Sequence, residues 1–274
     1  MNPEPDDAAS VRHEPLGQGE SVSASQLWWD AEAPAYYSEH REQLGDVRLS
    51  WGPEQLTEAE LGALGPLMGR DVLEFGAGSG QGARWCFDQG ARVVASDLSL
   101  AMLRIGQHID HEHGVAPEGY VTADAAGLPF ADESFDIAFS AYGALPFVAD
   151  PGLVLSEVAR VLRPGGRLAF SLTHPIRWAF LDEPGPEGLS VAHSYFDLDP
   201  YVERDANGAA TYVEHHATMG DRVRQIRRAG LFLEDLIEPE WPATNTAEWG
   251  GWSPLRGAYL PGTAIFVATK PIQH

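Results

Sequence analysis

Lysine and cysteine are nearly missing from this chain. Lys270 is its one lysine and Cys86 its one cysteine among 274 residues. A lone cysteine excludes an intramolecular disulfide framework and a cysteine-rich zinc site. In a helical segment it reads as a small apolar side chain. A lysine so near the C-terminus argues against a phosphate-cradling loop lysine and against a Schiff-base lysine. Basic residues are scarce altogether: 18 Lys and Arg stand against 40 Asp and Glu, for a formal net charge of −22. A field of that sign repels a phosphate backbone, so no nucleic-acid partner is expected. The four arginines in "DRVRQIRRAG" read as the wet face of an amphipathic helix. No apolar run of about 18 residues occurs, so neither a transmembrane helix nor a membrane partner is expected. The acidic start, "MNPEPDDAASVRHEP", lacks the features of a signal peptide, which leads to an expectation of cytoplasmic location. Residues 1–21 are expected to form a disordered acidic tail.

What is present reads as one α/β domain with appendages. Apolar residues make up 44% of the chain, enough for a sizeable core. Residues 22–69 read as an N-terminal helical cap. Within it, "SQLWWDAEAPAYYSEHREQ" predicts an aromatic-rich helix or helix pair with a break at Pro34, and "WGPEQLTEAELGALGPLMG" a loop and a short helix starting near Pro53 and Glu54. From residue 70 to 274, apolar runs alternate with helical periodicity. Strands are predicted at Asp71–Phe75, Arg92–Asp97, Tyr120–Thr122, Phe135–Ser140, Arg167–Leu172, Phe232–Ile237 and "TAIFVAT". Helices are predicted at Gly80–Gln89, Ser99–His108, Pro151–Leu162 and about Met219–Ala229, with Pro164-Gly165-Gly166 turning the chain into the next strand. Such alternation implies a doubly wound, mostly parallel sheet with helices on both faces. Two aromatic-rich excursions interrupt it, at 174–218 and 239–262.

The stretch "VLEFGAGSGQGARW" places Gly76, Gly78 and Gly80 where the first predicted strand meets a helix. Glycines there let the backbone bend tightly and touch a ligand, and free N–H groups at the helix start favour an anionic group. The usual dinucleotide spacing G-x-G-x-x-G is absent; the loop reads G-x-G-x-G, which favours another nucleoside cofactor without excluding NAD(P). Asp97 follows Gly76 by 21 positions, at the tip of the next predicted strand. A carboxylate at that tip can accept from ribose hydroxyls, the simpler alternative being a helix cap. Asp124, just past the third strand, can accept from an adenine amino group or serve as a turn residue.

These pieces resemble the class I S-adenosylmethionine (SAM)-dependent methyltransferases of the small-molecule type. "VLEFGAGSG" looks like their first motif, "ASDLS" their acidic second-strand tip, "ADAAGLPFADESFDIAFS" their adenine loop and fourth strand, and "LRPGGRLAFSL" the turn into their fifth strand. The likeness covers residues 70 to 172, with a weaker echo in the final helix and strands. Glu74 stands where many relatives carry aspartate, and Phe75 where a smaller residue is common. The resemblance implies a seven-stranded Rossmann-like sheet with a lid inserted after strand 5, SAM as methyl donor and S-adenosyl-L-homocysteine as product. It implies cofactor contacts from Glu74, Gly76, Ala77 and Gly78, ribose binding by Asp97 with Leu98 on the adenine, reading of the adenine edge by Asp124 and Ala125, and a place for Ser140 beside the amino-acid end.

In that chemistry the enzyme holds the nucleophile in line behind the methyl carbon and excludes water. A base matters only for an acceptor that keeps its proton. His174, following the fifth strand, is the candidate catalytic base, a satisfied loop histidine being the plainer alternative; Tyr142, following the fourth, is the candidate for touching substrate, with His215 and His216 weaker. His108, His111, Glu112 and His113 lack the spacing of one ligand face, and no metal is expected. Trp178, Phe180, Tyr195, Phe196, Tyr201 and Tyr212 of the first excursion, and Trp241, Trp249 and Trp252 of the second, are expected to form an apolar lid. Trp28, Trp29, Tyr36 and Tyr37 would close the other side, although many of these aromatics serve packing alone. The expected function is methylation at O, N or C of a small aromatic or apolar metabolite. A nicotinamide oxidoreductase and a SAM-binding protein without transfer activity remain alternatives. "SAYGALP" lacks the Asn/Asp-Pro-Pro-aromatic signature of base-amino methylation. A homodimer contact through the second excursion is left open.

Overall fold

The computed structural model describes residues 10–115, 117 and 119–272. Its centre is a seven-stranded sheet built from β2 (Asp71–Phe75), β3 (Arg92–Asp97), β4 (Gly119–Thr122), β5 (Phe135–Ala141), β6 (Leu162–Thr173), β9 (Phe232–Ile237) and β10 (Thr263–Thr269). The spatial order is β4-β3-β2-β5-β6-β10-β9. Pairings from β4 through β6 are parallel, and β10 runs antiparallel between β6 and β9. The sequence dictates this arrangement: "DVLEF" and "TAIFVAT" are buried almost throughout, as strands covered on both faces must be. Helices α3 (Gln81–Asp88), α4 (Leu100–His113), α5 (Pro151–Val161) and α6 (Met219–Arg228) supply the cover. One core layer gathers Leu73, Phe75, Leu155, Val158, Phe170 and Phe266; the other gathers Trp51, Leu64, Val72, Val93, Phe139 and Ile265.

The chain lays β2, β3 and β4 outward on one side, then returns to put β5 against β2 and β6 beyond it. The carboxyl ends of β2, β3, β4 and β5 therefore open onto one edge around the reversal, where ligands of doubly wound sheets bind.

The N-terminal region departs from expectation. Ser10–His13 (β1), expected to be disordered, pairs antiparallel with β7 (Tyr201–Arg204), which pairs with β8 (Ala210–Glu214) in a second, three-stranded sheet. Residues 1–9 of the expected tail lie outside the described residues. A single helix, α1 (Gln18–Leu44), runs through Pro34 without a break. Pro34 itself is exposed, and the helical bond it omits is the one to the Asp30 carbonyl, one turn back. The short helix of the cap, α2 (Glu58–Leu61), starts later than Pro53, at a capping box made by Thr57 and Glu60. Two buried carboxylates brace this region. Glu58 accepts from Trp51 Nε1 (2.9 Å), Ala63 N (3.0 Å) and Leu64 N (2.7 Å), and Glu54 accepts from Gly262 N (2.8 Å) and from the Thr263 hydroxyl. Arg84, fully buried on α3, donates to the Asp46 carbonyl (2.6 Å), ties the cap to the main sheet's helices and pairs with Asp110 at 3.1 Å.

Helix α1 is fastened to the small sheet by the Ser21 hydroxyl, 2.8 Å from His215 Nε2. Burial holds His215 neutral, its pKa pulled from 6.5 down to about 4, helped by nearby Arg222. A histidine depressed in this way contributes stability that is complete above the unfolded value and is lost as pH falls toward about 4. His215→Gln is therefore expected to lose less stability than the wild type between pH 7 and pH 5, by about 2 kcal/mol in urea unfolding. Equal losses would show that His215 does not titrate with unfolding.

Candidate functional site

A cavity of about 240 Å³ opens at the carboxyl edge of the sheet. One half is made by bends that follow parallel strands: Gly76–Ser79 after β2, Asp97 and Leu98 at the end of β3, Ala123–Ala125 after β4, and Ala141–Ala144 after β5. The other half comes from the cap and from one excursion: Val22, Ser25, Trp29, Tyr36 and Leu44 of α1, then Ser50, Gly52 and Trp249, with Phe147 between the halves.

The glycine bend is shaped by contacts that exclude side chains. Gly76 has φ +63°, and a Cβ there would collide with the backbone nitrogen of Ala144. A Cβ on Gly143 would meet the Gly76 carbonyl and Ser140 Oγ. Gly78, at φ +55°, points its N–H at Asp97 Oδ2 (2.7 Å), and the other oxygen of Asp97 accepts from Ser99 N (2.8 Å). An ionised carboxylate has about four lone-pair sites, so Asp97 keeps acceptor capacity toward the cavity. Burial is the largest influence on it and raises its pKa, with the two backbone donors pulling the other way. Asp124 accepts from Ala126 N at 2.9 Å, a turn bond that leaves its second oxygen without a protein donor among the described residues.

Of the residues singled out in the sequence, Gly76, Ala77, Gly78, Asp97, Leu98, Asp124, Ala125 and Tyr142 border the cavity together. Glu74, Ser140 and His174 do not. Glu74 lies beneath the bend, where its Oε2 accepts from Ala83 N (2.7 Å), bracing α3 instead of meeting a ligand. Ser140 is buried under Gly143. His174 has both ring nitrogens engaged away from the cavity: Nδ1 accepts from Ile176 N (3.1 Å) and Nε2 lies 2.7 Å from Glu238 Oε1. Tyr142 borders the cavity with an unusual backbone, φ +55°, but its hydroxyl donates to the Gly262 carbonyl at 2.8 Å. Burial and the nearby Glu54 carboxylate push that phenol well above its ordinary pKa, so it keeps its proton at neutral pH.

The expected lid is only partly assembled. From the second excursion Trp249 borders the cavity, whereas Trp241 and Trp252 do not. None of the first excursion's aromatics reaches it: Trp178 packs on His216, Tyr195 on Phe196, and Tyr212 on Trp28 and Phe147. Of the N-terminal aromatics, Trp29 and Tyr36 form wall, whereas Trp28 and Tyr37 do not. Ser79, Gln81, Met102 and Ser50 also border the cavity and were not singled out; polar and methionine positions of this kind carry no periodic signal. Among the described residues no group of three or more potential metal ligands comes together.

Comparison with known proteins adds a second line of observation. Residues 73–170 match the family model described as a methyltransferase domain. A demethylmenaquinone methyltransferase from Paenarthrobacter aurescens (strain TC1) is 37% identical over 216 residues, 76% of this chain and 72% of that protein. The crystal structure of an S-adenosylmethionine-dependent methyltransferase from Mesorhizobium loti superposes with a TM-score of 0.62 at 26% identity, over 80% of this chain and 100% of that one. A 1,6-didemethyltoxoflavin-N1-methyltransferase from Burkholderia thailandensis, solved with 1,6-didemethyltoxoflavin and S-adenosylhomocysteine, gives 0.57 at 18% identity over 99% of this chain and 98% of that one, a likeness of fold.

Burial raises the Glu74 carboxyl to about 8, against a backbone donor and Arg84 that lower it. An acid raised in the folded state contributes stability that is complete below its unfolded value and is lost as pH rises through about 8. Glu74→Gln keeps an oxygen for Ala83 N and removes the charge. It is expected to lose less stability than wild type from pH 5 to pH 8.5 in denaturant unfolding, and parallel curves would contradict the assignment.

Proposed function

This chain belongs to the class I SAM-dependent methyltransferases, and from that premise we propose that it transfers the SAM methyl group to O, N or C of a small aromatic or apolar acceptor lying against helix α1. One observation carries the reading: a single cavity joins the carboxyl ends of four parallel strands to an aromatic wall.

The strand half fits the nucleoside and amino acid of SAM. Asp97 keeps acceptor capacity for a ribose diol, Leu98 and Met102 offer apolar flanks for a flat base, and Asp124 with the Ala125 backbone suits an adenine edge. The bend of Gly76, Ala77 and Gly78 leaves backbone exposed to the amino-acid tail. The G-x-G-x-G spacing of the bend, in place of the dinucleotide pattern G-x-G-x-x-G, supports SAM over NAD(P). When bound, SAM supplies a sulfonium whose methyl carbon is already activated for displacement.

The protein's part is then alignment and exclusion of water. Trp29, Tyr36, Phe147 and Trp249 hold the acceptor face, and Ser50 Oγ, buried without a partner, offers it a hydrogen bond. Among the described residues bordering the cavity there is no His, Lys or Arg, which fits an acceptor whose lone pair or electron-rich carbon needs no imidazole or amine base. Tyr142 acts as a fixed wall and His174 as the cap of the turn that follows β6. A quinone ring, of the kind named for the Paenarthrobacter relative, falls within this acceptor class.

Asp97→Ala is expected to weaken S-adenosylhomocysteine binding at least about tenfold by calorimetry, the scale of a lost charged hydrogen bond. A folded variant with unchanged affinity removes the ribose assignment. Consumption of methyl-labelled SAM across a metabolite panel tests transfer itself, and binding without any turnover would favour a SAM-binding protein without activity.

A further inference from the structure

The aromatic wall is more ordered than a hydrophobic lining requires. Its rings form a continuous chain across three separate segments. Phe147, from the bend after β5, meets Trp29 edge-on at 5.4 Å between centroids. Trp29 meets Tyr36 edge-on at 5.3 Å, Tyr36 stacks on His40 at 4.3 Å, and His40 lies 5.5 Å from Trp249 in the second excursion. Four of these five rings border the cavity, and His40 backs them, its Nδ1 2.9 Å from the Tyr36 carbonyl.

The electrostatics of the same surface are one-sided. Among the described residues bordering the cavity, the charged groups are Asp97 and Asp124, both in the strand half and both acidic, and the chain as a whole carries −22. With S-adenosylhomocysteine, which lacks the sulfonium charge, in the strand half, a carboxylate or phosphate on the acceptor would be desolvated there without a protein cation to receive it, which is costly. Meanwhile the Tyr36 phenol, half-buried in this wall, stays protonated at neutral pH, its surroundings pushing it up to about 12, and only the backbone carbonyl of Tyr36 is engaged by a neighbouring side chain. A hydrogen bond from a half-buried neutral hydroxyl of that kind is worth severalfold in the affinity of a ligand that accepts it.

Building on the methyl-transfer reading, we propose that the half of the cavity walled by Phe147, Trp29, Tyr36 and Trp249 is a subsite for an uncharged, planar aromatic acceptor bearing a carbonyl or ring-nitrogen acceptor that takes the Tyr36 hydroxyl hydrogen, and that it rejects anionic analogues. The flat faces set the plane of the ligand, and the phenol fixes its rotation within that plane. The charge of the lining sets the sign of what is admitted.

The test uses matched probes on the full chain saturated with S-adenosylhomocysteine. 2-Acetylnaphthalene and 2-naphthoate have nearly the same shape and differ in charge, and naphthalene lacks the oxygen. Saturation-transfer NMR titration is expected to give 2-acetylnaphthalene at least about tenfold tighter binding than 2-naphthoate, since an unpaired buried charge costs more than a neutral carbonyl. Tyr36→Phe should weaken 2-acetylnaphthalene about fivefold or more and leave naphthalene unchanged, the signature of one lost hydrogen bond rather than of a disturbed wall. Trp249→Ala should weaken both neutral probes while S-adenosylhomocysteine affinity stays within about twofold, because Trp249 reaches the cavity beside His40 of α1, in the wall assigned to the acceptor. Equal or tighter binding of 2-naphthoate, absence of 2-acetylnaphthalene binding, or a Tyr36→Phe variant that retains full affinity would each overturn the proposal. A wild-type chain that fails to bind S-adenosylhomocysteine would instead sink the cofactor reading on which it rests.

Discussion

Two bare stretches of backbone meet at the floor of the cavity, and most of the site follows from that meeting. The bend after β2 and the bend after β5 approach so closely that neither Gly76 nor Gly143 has room for a methyl group. This contact lies where the strand order reverses, so it joins the two halves of the sheet at the one edge open to ligand. With Gly76 pressed on Ala144, the Gly78 N–H turns to Asp97, and Asp97 in turn fixes the start of α4 through Ser99. Glu74 and Ser140, which the family resemblance would put against the ligand, lie beneath this contact and support it.

The sheet and its glycine bend were legible because local and long-range preferences agree there. The strands β2, β3, β9 and β10 fall at the limits expected from apolar runs bounded by glycine, proline or charge. Helix α4 runs on to His113, past the expected His108, since "IDHEH" contains no breaker before Gly114. Gly76, Gly78, Asp97 and Asp124 of the strand half were readable for the same reason: they sit just past strand tips, and strand tips are set by the pattern, whereas Gln81 and Met102 reach the cavity from helices.

The small sheet was not legible, and the cause is distance along the chain. Ser10–His13 pairs with Tyr201–Arg204, two four-residue segments with little signal of their own. The lid was misread for a related reason. Composition shows that an excursion is aromatic but not which of its rings face one another. Trp178, Tyr195 and His216 satisfy each other in a cluster of their own, whereas Trp29 and Tyr36, seven residues apart on α1, project toward the cavity. A helix with a hydrophobic pattern as weak as that of α1 gives no periodic cue to the face that matters.

The strand between β6 and β9 has a consequence for the rigidity of the cavity. Glu54, from the cap, holds Gly262 and Thr263, and Tyr142, beside the floor, holds the Gly262 carbonyl. β10 also fills the gap between β6 and β9. Cap and floor are therefore clamped to the same two residues at the start of one strand. A disturbance of Gly262 or Thr263 would loosen both walls together, although neither residue borders the cavity.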